Sequence, residues 1–344
     1  MKVADFNYFL PPAQIADFPP EIRGASRLLV LHRNTGEIEH KRYPDLVDYL
    51  NPGDVLILND TKVIKARLLA DTKLGAQKEI FLLEKHSTDS NDTHVHNAIY
   101  RGALHVNDIL TVGNANIIVS EIRDDGTITI KSDTDLEKLA DSIGHTPLPP
   151  YIKREDIKED VERYQTVFAR EKGSVAAPTA SLNMTEELLE KIRAKGIKIC
   201  YLTLHVGLGT FSPIKVDNLS EHKMHSEYFI IPAETVSAIQ QAKKNNSSVV
   251  ALGTTVTRAL EYSKEKILYE PPQTVSGEAD IFIYPGYQFG VVDKLVTNYH
   301  APRSTVLMLT AAFAGWDKLK PAYESAIASG YSFLSYGDSM LITV

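Results

Sequence analysis

The sequence predicts an α/β main domain with a largely parallel sheet, into which a six-stranded β-barrel is inserted. Three observations carry that expectation. Strand-like and helix-like segments alternate through the C-terminal half, the pattern of a parallel sheet with crossover helices. From about Ile64 to Pro150 the texture changes to short β-rich runs at hairpin spacing, the pattern of a small antiparallel barrel. And 344 residues, 43% hydrophobic and 24% charged, suffice for two packed units. The main domain is expected to be discontinuous, 1–63 with 151–344, and the insertion to span 64–150.

In chain order, RLLVLHR (27–33) and VLIL (55–58) read as strands, with Asn34-Thr35-Gly36 as a turn and a short helix from Pro44 to Leu50 between them. The second strand ends in the polar cluster Asn59-Asp60-Thr61-Lys62, which is either site chemistry or ordinary turn chemistry. The barrel runs are ARLLA, KEIFLLEKH, HNAIYRG, ILTVG, NIIVSEI and GTITIKS, parted by turns such as Gly113-Asn114 and Asp124-Asp125-Gly126. His86, His94, His96 and His105 fall here, but their spacing is loose and no metal site is expected. Residues 145–154, HTPLPPYIKR, form a stiff basic hinge back to the main domain. A charged helical run then reaches Tyr164-Gln165, and 174–181 is a small-residue loop that permits close approach.

Thr185 can cap a helix that carries Glu186 and Glu187 in its first turn and ends at Gly196. IKICYLTL (197–204) is a buried strand running into His205-Val206-Gly207-Leu208-Gly209-Thr210-Phe211. Pro232 precedes the helix AETVSAIQQAKK. Val249 to Leu252 is a strand opening into Gly253-Thr254-Thr255 and a helix with Arg258 and Glu261. Residues 280–284 read as a third strand, ending at Pro285-Gly286-Tyr287. Residues 295–299 read as a fourth, ending at His300, with a helix from Ser304-Thr305.

Several classes of function recede. A net charge of −7 does not advertise nucleic acid, although local patches such as Lys62, Lys65 and Arg67, or Lys153 and Arg154, suffice for phosphate contacts or are plain solvated surface. No apolar run approaches a membrane span and the N-terminus lacks the apolar core of a signal peptide, so a cytoplasmic enzyme is expected. The single cysteine, Cys200, reads as strand packing. There is no G-x-x-x-x-G-K-[ST] and no G-x-S-x-G. Glu221-His222-Lys223-Met224-His225-Ser226-Glu227 invites a zinc reading but lacks H-E-x-x-H spacing; a solvated loop or a substrate-facing loop are the other readings.

What remains is a set of strand ends. His205 with Thr210, Thr254 with Thr255, Tyr284 with Tyr287, and Asn298 with His300 each close a predicted strand. Open α/β sheets place ligands at such an edge. Glycines at 207 and 209 would let backbone approach a ligand.

At the level of motifs the chain resembles the S-adenosylmethionine:tRNA ribosyltransferase-isomerase family of queuosine biosynthesis. The matching blocks include Ser26 to Leu31, Leu58 to Ile64 with Ala66-Arg67, Thr146 to Lys153, Glu162 to Val167 and Gly173 to Ala180. They continue with Thr203 to Phe211, His222 to Glu227, Asp280 to Tyr287, Thr297-Asn298, Ser304 to Gly315 and Tyr336 to Asp338. The resemblance implies an α/β domain with an inserted barrel. It also implies transfer of the ribosyl part of S-adenosylmethionine to 7-aminomethyl-7-deazaguanine at the tRNA wobble position, with rearrangement to epoxyqueuosine and loss of adenine and methionine. S-adenosylmethionine is then a consumed substrate, with no further cofactor, metal or protein partner implied.

That chemistry needs a base beside the sulfonium, for which His205, His225 and His300 are candidates, with Asp60 a further catalytic candidate. Tyr284, Tyr287 and Tyr299 offer faces to a sulfonium. Arg258 is expected to pair with the methionine carboxylate. Gly207, Gly209, Thr210, Thr254, Thr255, Asn298, Ser304 and Thr305 complete the expected substrate site, and Lys62, Arg67, Lys153 and Arg154 the expected RNA contacts. The chain departs from the family pattern at Ser181 and Asn183, where a glycine and a histidine are usual. Those departures open two alternatives: a diverged relative with another acceptor or donor, or a non-catalytic nucleoside- or RNA-binding protein.

Overall fold

The computed structural model describes residues 1–84, 92–124, 126–207 and 214–344. The main body is a nine-stranded sheet. Across it the order is Val275–Ala279, Glu227–Ile231, Lys198–Leu204, Val55–Asn59, Val249–Leu252, Lys294–Asn298, Ser339–Thr343, Arg27–His32 and Ile38–Arg42. The four central strands, Lys198–Leu204 through Lys294–Asn298, are mutually parallel. The flanking pairs are antiparallel, except that Ser339–Thr343 runs parallel to Arg27–His32. The sheet is mixed, with its parallel part at the centre.

The sequence explains this centre. Val55–Asn59 and Val249–Leu252 are buried at every position, as strands covered on both faces must be. Successive residues alternate faces, so Ile57 and Ala251 join one core while Leu56, Leu58 and Val250 join the other. Helices Glu186–Ala194, Ala233–Lys244, Thr254–Tyr262 and Thr305–Ala314 form where the sequence places them. Two are capped by the expected residues: Thr185 Oγ1 accepts from the Leu188 N–H and Ser304 Oγ from the Leu307 N–H, each at 3.2 Å.

The insertion closes into an antiparallel barrel of Arg67–Thr72, Gln77–Leu82, Val95–Arg101, Ile109–Val112, Ala115–Ile122 and Ile128–Ser132. All six runs singled out in the sequence form its strands. Inward positions such as Leu68, Ile80, Ala98, Ile117 and Ile130 fill it, and the helix Leu136–Ile143 adds Leu136 and Ala140.

Two expectations fail. Residues 280–284 form no strand; the paired segment is Val275–Ala279, just upstream, held antiparallel to Glu227–Ile231. The segment IFIY packs Ile283 into the core and Ile281, Phe282 and Tyr284 against it, so its apolar character serves side-chain burial without a ladder. The charged run before Tyr164 yields only the one-turn helix Asp160–Arg163. The strand Ser339–Thr343, which joins Arg27–His32 to the rest of the sheet, was not legible beforehand. His86 and Asp125 lie outside the described residues. Among the described residues no helix is long and apolar enough to cross a membrane.

Candidate active site

Four parallel strands end side by side, at Leu204, Asn59, Leu252 and Asn298. A cavity of about 640 Å³ opens beyond this edge, the size of a small-molecule site. Thr254 and Thr255 enter its wall from one helix start, Ser304 from another, and Asn298, Tyr299 and His300 from the strand end between them. Gly253, at φ +102°, turns the strand straight into the helix Thr254–Tyr262. Among the described residues no side chain caps that helix, so its start presents N–H groups without a side-chain partner at the cavity wall.

One residue of this wall has a buried, unpartnered polar atom. Asn298 donates from Nδ2 to the Asp338 carbonyl at 3.4 Å, but its Oδ1 has no hydrogen-bond partner among the described residues. The ring of Tyr299 turns into the core, against Tyr323, Tyr331 and Phe333. An unpaired buried acceptor costs about 1–3 kcal/mol, which a ligand's donor would recover. His300 is fixed on three sides. Its Nε2 shares a hydrogen bond with Thr297 Oγ1 at 2.8 Å, its N–H donates to the Tyr323 hydroxyl at 3.1 Å, and its carbonyl accepts from the Tyr8 hydroxyl. Burial pushes the imidazole down to about 3, so the ring is neutral at pH 7.

The other expected residues sit elsewhere. His205 follows its strand as expected, but its Nδ1 meets Thr61 Oγ1 at 2.8 Å and it does not line the cavity, whereas Val206 does. Alternation along an extended chain puts neighbours on opposite faces. Burial lowers the His205 pKa, against the pull of Glu171. Asp60 is buried, accepting from Thr203 Oγ1 at 2.7 Å and Arg170 at 2.6 Å; burial raises its pKa in spite of both. Gly207 serves a close approach of a different kind. A Cβ there would meet the Glu84 carboxylate of the barrel at 2.1 Å, and its N–H donates to Glu227.

Arg258 is not available to a methionine carboxylate. Its guanidinium pairs with the fully buried Glu227 and donates to the carbonyls of Ala279 and His225. Burial would raise the Glu227 pKa, yet the Arg258 charge and its hydrogen bonds hold it at about 2. His225 leans on the same carboxylate, Nε2 at 3.3 Å, and does not line the cavity. Tyr287 donates to Glu261, itself clamped by the N–H groups of Gly290, Val291 and Val292. Tyr284 packs on Phe282, rings 5.1 Å apart, and neither it nor Thr305 reaches the wall. Gly209 and Thr210 lie outside the described residues. Among the described residues no group of three or more His, Cys, Asp or Glu is placed to hold a metal ion.

Of the expected RNA contacts, two are already saturated. Arg67 pairs with Glu79 at 2.9 Å and Glu155 at 3.0 Å, and Arg154 grips Asp160 through both terminal nitrogens. Lys153 is exposed, and Lys62 lines a second hollow. Sequence reasoning missed several residues of the cavity wall: Tyr151, Thr179, Lys215, Thr297, Arg303 and Ser335. Tyr151 and Ser335 lie far apart in sequence, and only the fold joins their hydroxyls at 2.6 Å. Arg303 sits at φ +60°, its N–H donating to the Phe6 carbonyl.

The two departures are not on the wall. Asn183 donates to the Gly337 carbonyl at 3.0 Å and Ser339 Oγ at 3.2 Å, and accepts from Ser26 at 2.7 Å. It pins three segments behind the site. Ser181 is fully buried and its hydroxyl has no partner among the described residues.

A family model described as "Queuosine biosynthesis protein" matches residues 3–342. The chain is 52% identical to the S-adenosylmethionine:tRNA ribosyltransferase-isomerase of Chlorobium phaeobacteroides, covering 99% of this chain and all of that one. It is 47% identical to the enzyme of the same name from a Sulfurihydrogenibium species, again over 99% of this chain and all of the relative. Among solved structures, the S-adenosylmethionine tRNA ribosyltransferase of Thermotoga maritima is 34% identical with a TM-score of 0.57, over 98% of this chain and 99% of that one. A family model over nearly the whole chain and full-length identity of this order leave one assignment: the chain belongs to the queuosine biosynthesis family of S-adenosylmethionine:tRNA ribosyltransferase-isomerases.

Proposed function

We propose that this chain transfers the ribosyl moiety of S-adenosylmethionine to 7-aminomethyl-7-deazaguanine at the tRNA wobble position and isomerises it, giving epoxyqueuosine, adenine and methionine. It acts in the cytoplasm, on tRNA that already carries the precursor base, with S-adenosylmethionine consumed and no further cofactor. The observation that carries this reading is the cavity built from Thr254, Thr255, Asn298, His300 and Ser304, in a chain with full-length relatives of that name.

Within that cavity the residues divide the work. We assign the proton acceptor beside the sulfonium to His300, the expected histidine that lines the cavity, oriented by Thr297; the burial that keeps it neutral also makes it a weak base. Asn298 Oδ1 accepts from a donor of the nucleoside. The uncapped helix start at Thr254 favours the negative end of the substrate, the methionine carboxylate, in place of Arg258. His205 and Asp60 support the strand ends next to the cavity.

The test is incubation with S-adenosylmethionine and precursor-bearing tRNA, following adenine release and the mass of the tRNA. Adenine release that requires tRNA, with a matching mass gain, is expected. Adenine release without tRNA would point to another acceptor, and tight binding without release to a sensor. With full-length relatives carrying the transferase name, neither alternative is favoured.

A further inference from the structure

A second hollow, about 770 Å³, lies where the chain enters and leaves the barrel. Five cations line it, in a protein whose net charge is −7: Arg23, Lys62, Lys65, Lys158 and Lys172. Two carboxylates face them, Asp141 and Glu162. Asp141 is engaged by Lys172 at 2.7 Å, and Lys65 reaches only its carbonyl, at 3.2 Å. Arg23 donates to carbonyls alone, of Gln165, Leu182 and Glu162. The ammonium groups of Lys62 and Lys158 have no hydrogen-bond or ion-pair partner among the described residues. The positive charge of the hollow is therefore largely uncompensated, unlike that of Arg67 and Arg154 nearby.

The lining carries a further sign of a ligand. Thr166 lines the hollow and is buried (5% exposed), and its hydroxyl has no hydrogen-bond partner among the described residues. A free donor near two unpaired ammonium groups suits an anion with several acceptor oxygens. The hollow also abuts the main cavity. Tyr164 on its wall packs edge-on against Tyr336, ring centroids 5.9 Å apart, and the neighbouring Ser335 and Tyr151 line the cavity.

We infer that this hollow binds the phosphate backbone of the RNA whose base enters the main cavity, with Lys62 and Lys158 as the principal cationic contacts and Thr166 as a donor near them. The inference rests on the proposed tRNA substrate and gives it a docking surface. One polynucleotide serves both depressions, its base on one side of the Tyr164–Tyr336 wall and its phosphates on the other.

The test is equilibrium binding of a tRNA transcript to the full chain as salt is varied. The double variant Lys62→Glu with Lys158→Glu is compared with a charge-matched control, Lys266→Glu with Lys320→Glu, both exposed and on helices that do not line the hollow. Losing two phosphate contacts should raise Kd about tenfold or more near 0.1 M salt and flatten the slope of log K against log salt by about 1.5. Thr166→Val should weaken binding with a smaller change of slope, and thermal melting checks that every variant is folded. Equal weakening in both doubles would overturn the inference, since general charge would then explain the attraction. Unchanged binding in the first double would overturn it too, while leaving the tRNA reading intact. A wild-type chain that does not bind tRNA would overturn that reading as well.

Discussion

The cavity wall and the layer immediately behind it use polar groups in opposite ways. On the wall, beside the charged Lys215 and Arg303, stand neutral groups left partly unsatisfied: Asn298 Oδ1, a neutral His300 and a helix start with no side-chain cap among the described residues. One layer back, full charges are locked together: Arg258 with Glu227, Glu261 on three backbone N–H groups, Asp60 on Thr203 and Arg170. A buried ion pair breaks badly when one partner goes, whereas an unpaired amide waits for a ligand. Arginine and glutamate near a site are therefore not evidence of contact with substrate. In this fold Arg258, Glu227 and Glu261 serve the layer behind the wall, whereas Arg303 lines it.

The sharpest way to break that contrast is Arg258→Ala. It strands the Glu227 carboxylate in the interior and should cost about 3–5 kcal/mol of folding stability, read by denaturant titration. A stable Arg258→Ala chain with weakened S-adenosylmethionine binding would move Arg258 back to the wall. Next comes Asn298→Leu, which removes the waiting acceptor. About 10- to 100-fold lower kcat/KM is expected, equivalent to about 1–3 kcal/mol, with a smaller change in the melting of the free protein. Equal losses of stability and activity would place Asn298 in the supporting layer instead.

Asn183→Ala should then cost about 1–2 kcal/mol through its bonds to Ser26, Gly337 and Ser339, with turnover per folded molecule unchanged. A gain of turnover on Asn183→His would show that this residue reaches the substrate after all. The last prediction concerns pH, where a modest slope accumulates over several pH units. His300 has its pKa lowered from 6.5 to about 3, so the unfolded chain binds this proton first as pH falls. Its stabilisation is present above about pH 6.5 and is lost between there and pH 3, at no more than about 1.4 kcal/mol per pH unit. His300→Gln should flatten the stability curve in that window. Glu227, also depressed, stabilises above its unfolded value of 4.5 and loses that contribution as pH falls toward 2, so Glu227→Gln should flatten a lower window.

Much of the architecture was legible because it is written in local periodicity. The barrel strands alternate, the central strands are apolar throughout, and Thr185 and Ser304 announce their helices. The failures have a common cause. IFIY at 281–284 has strand composition, but its neighbours pack against its side chains without pairing with its backbone. SMLIT at 339–343 becomes a strand because it fits between two partners, one of them about 300 residues earlier in the chain. Of the expected site residues, Thr254, Thr255, Asn298, His300 and Ser304 reach the wall. They lie at helix starts or at the end of one strand, where local sequence fixes both position and direction.

Composition, periodicity and motif order were enough to set the fold class, the inserted barrel, the family and the sheet edge at which ligands collect, because each depends on short-range pattern. Which side chain faces the cavity was decided only in three dimensions. His205 and Val206 differ by one residue and point opposite ways, and Arg258 finds Glu227 across a gap of 31 residues. Pairings of that range depend on how strands stack and where loops return, and no local window of the sequence records them.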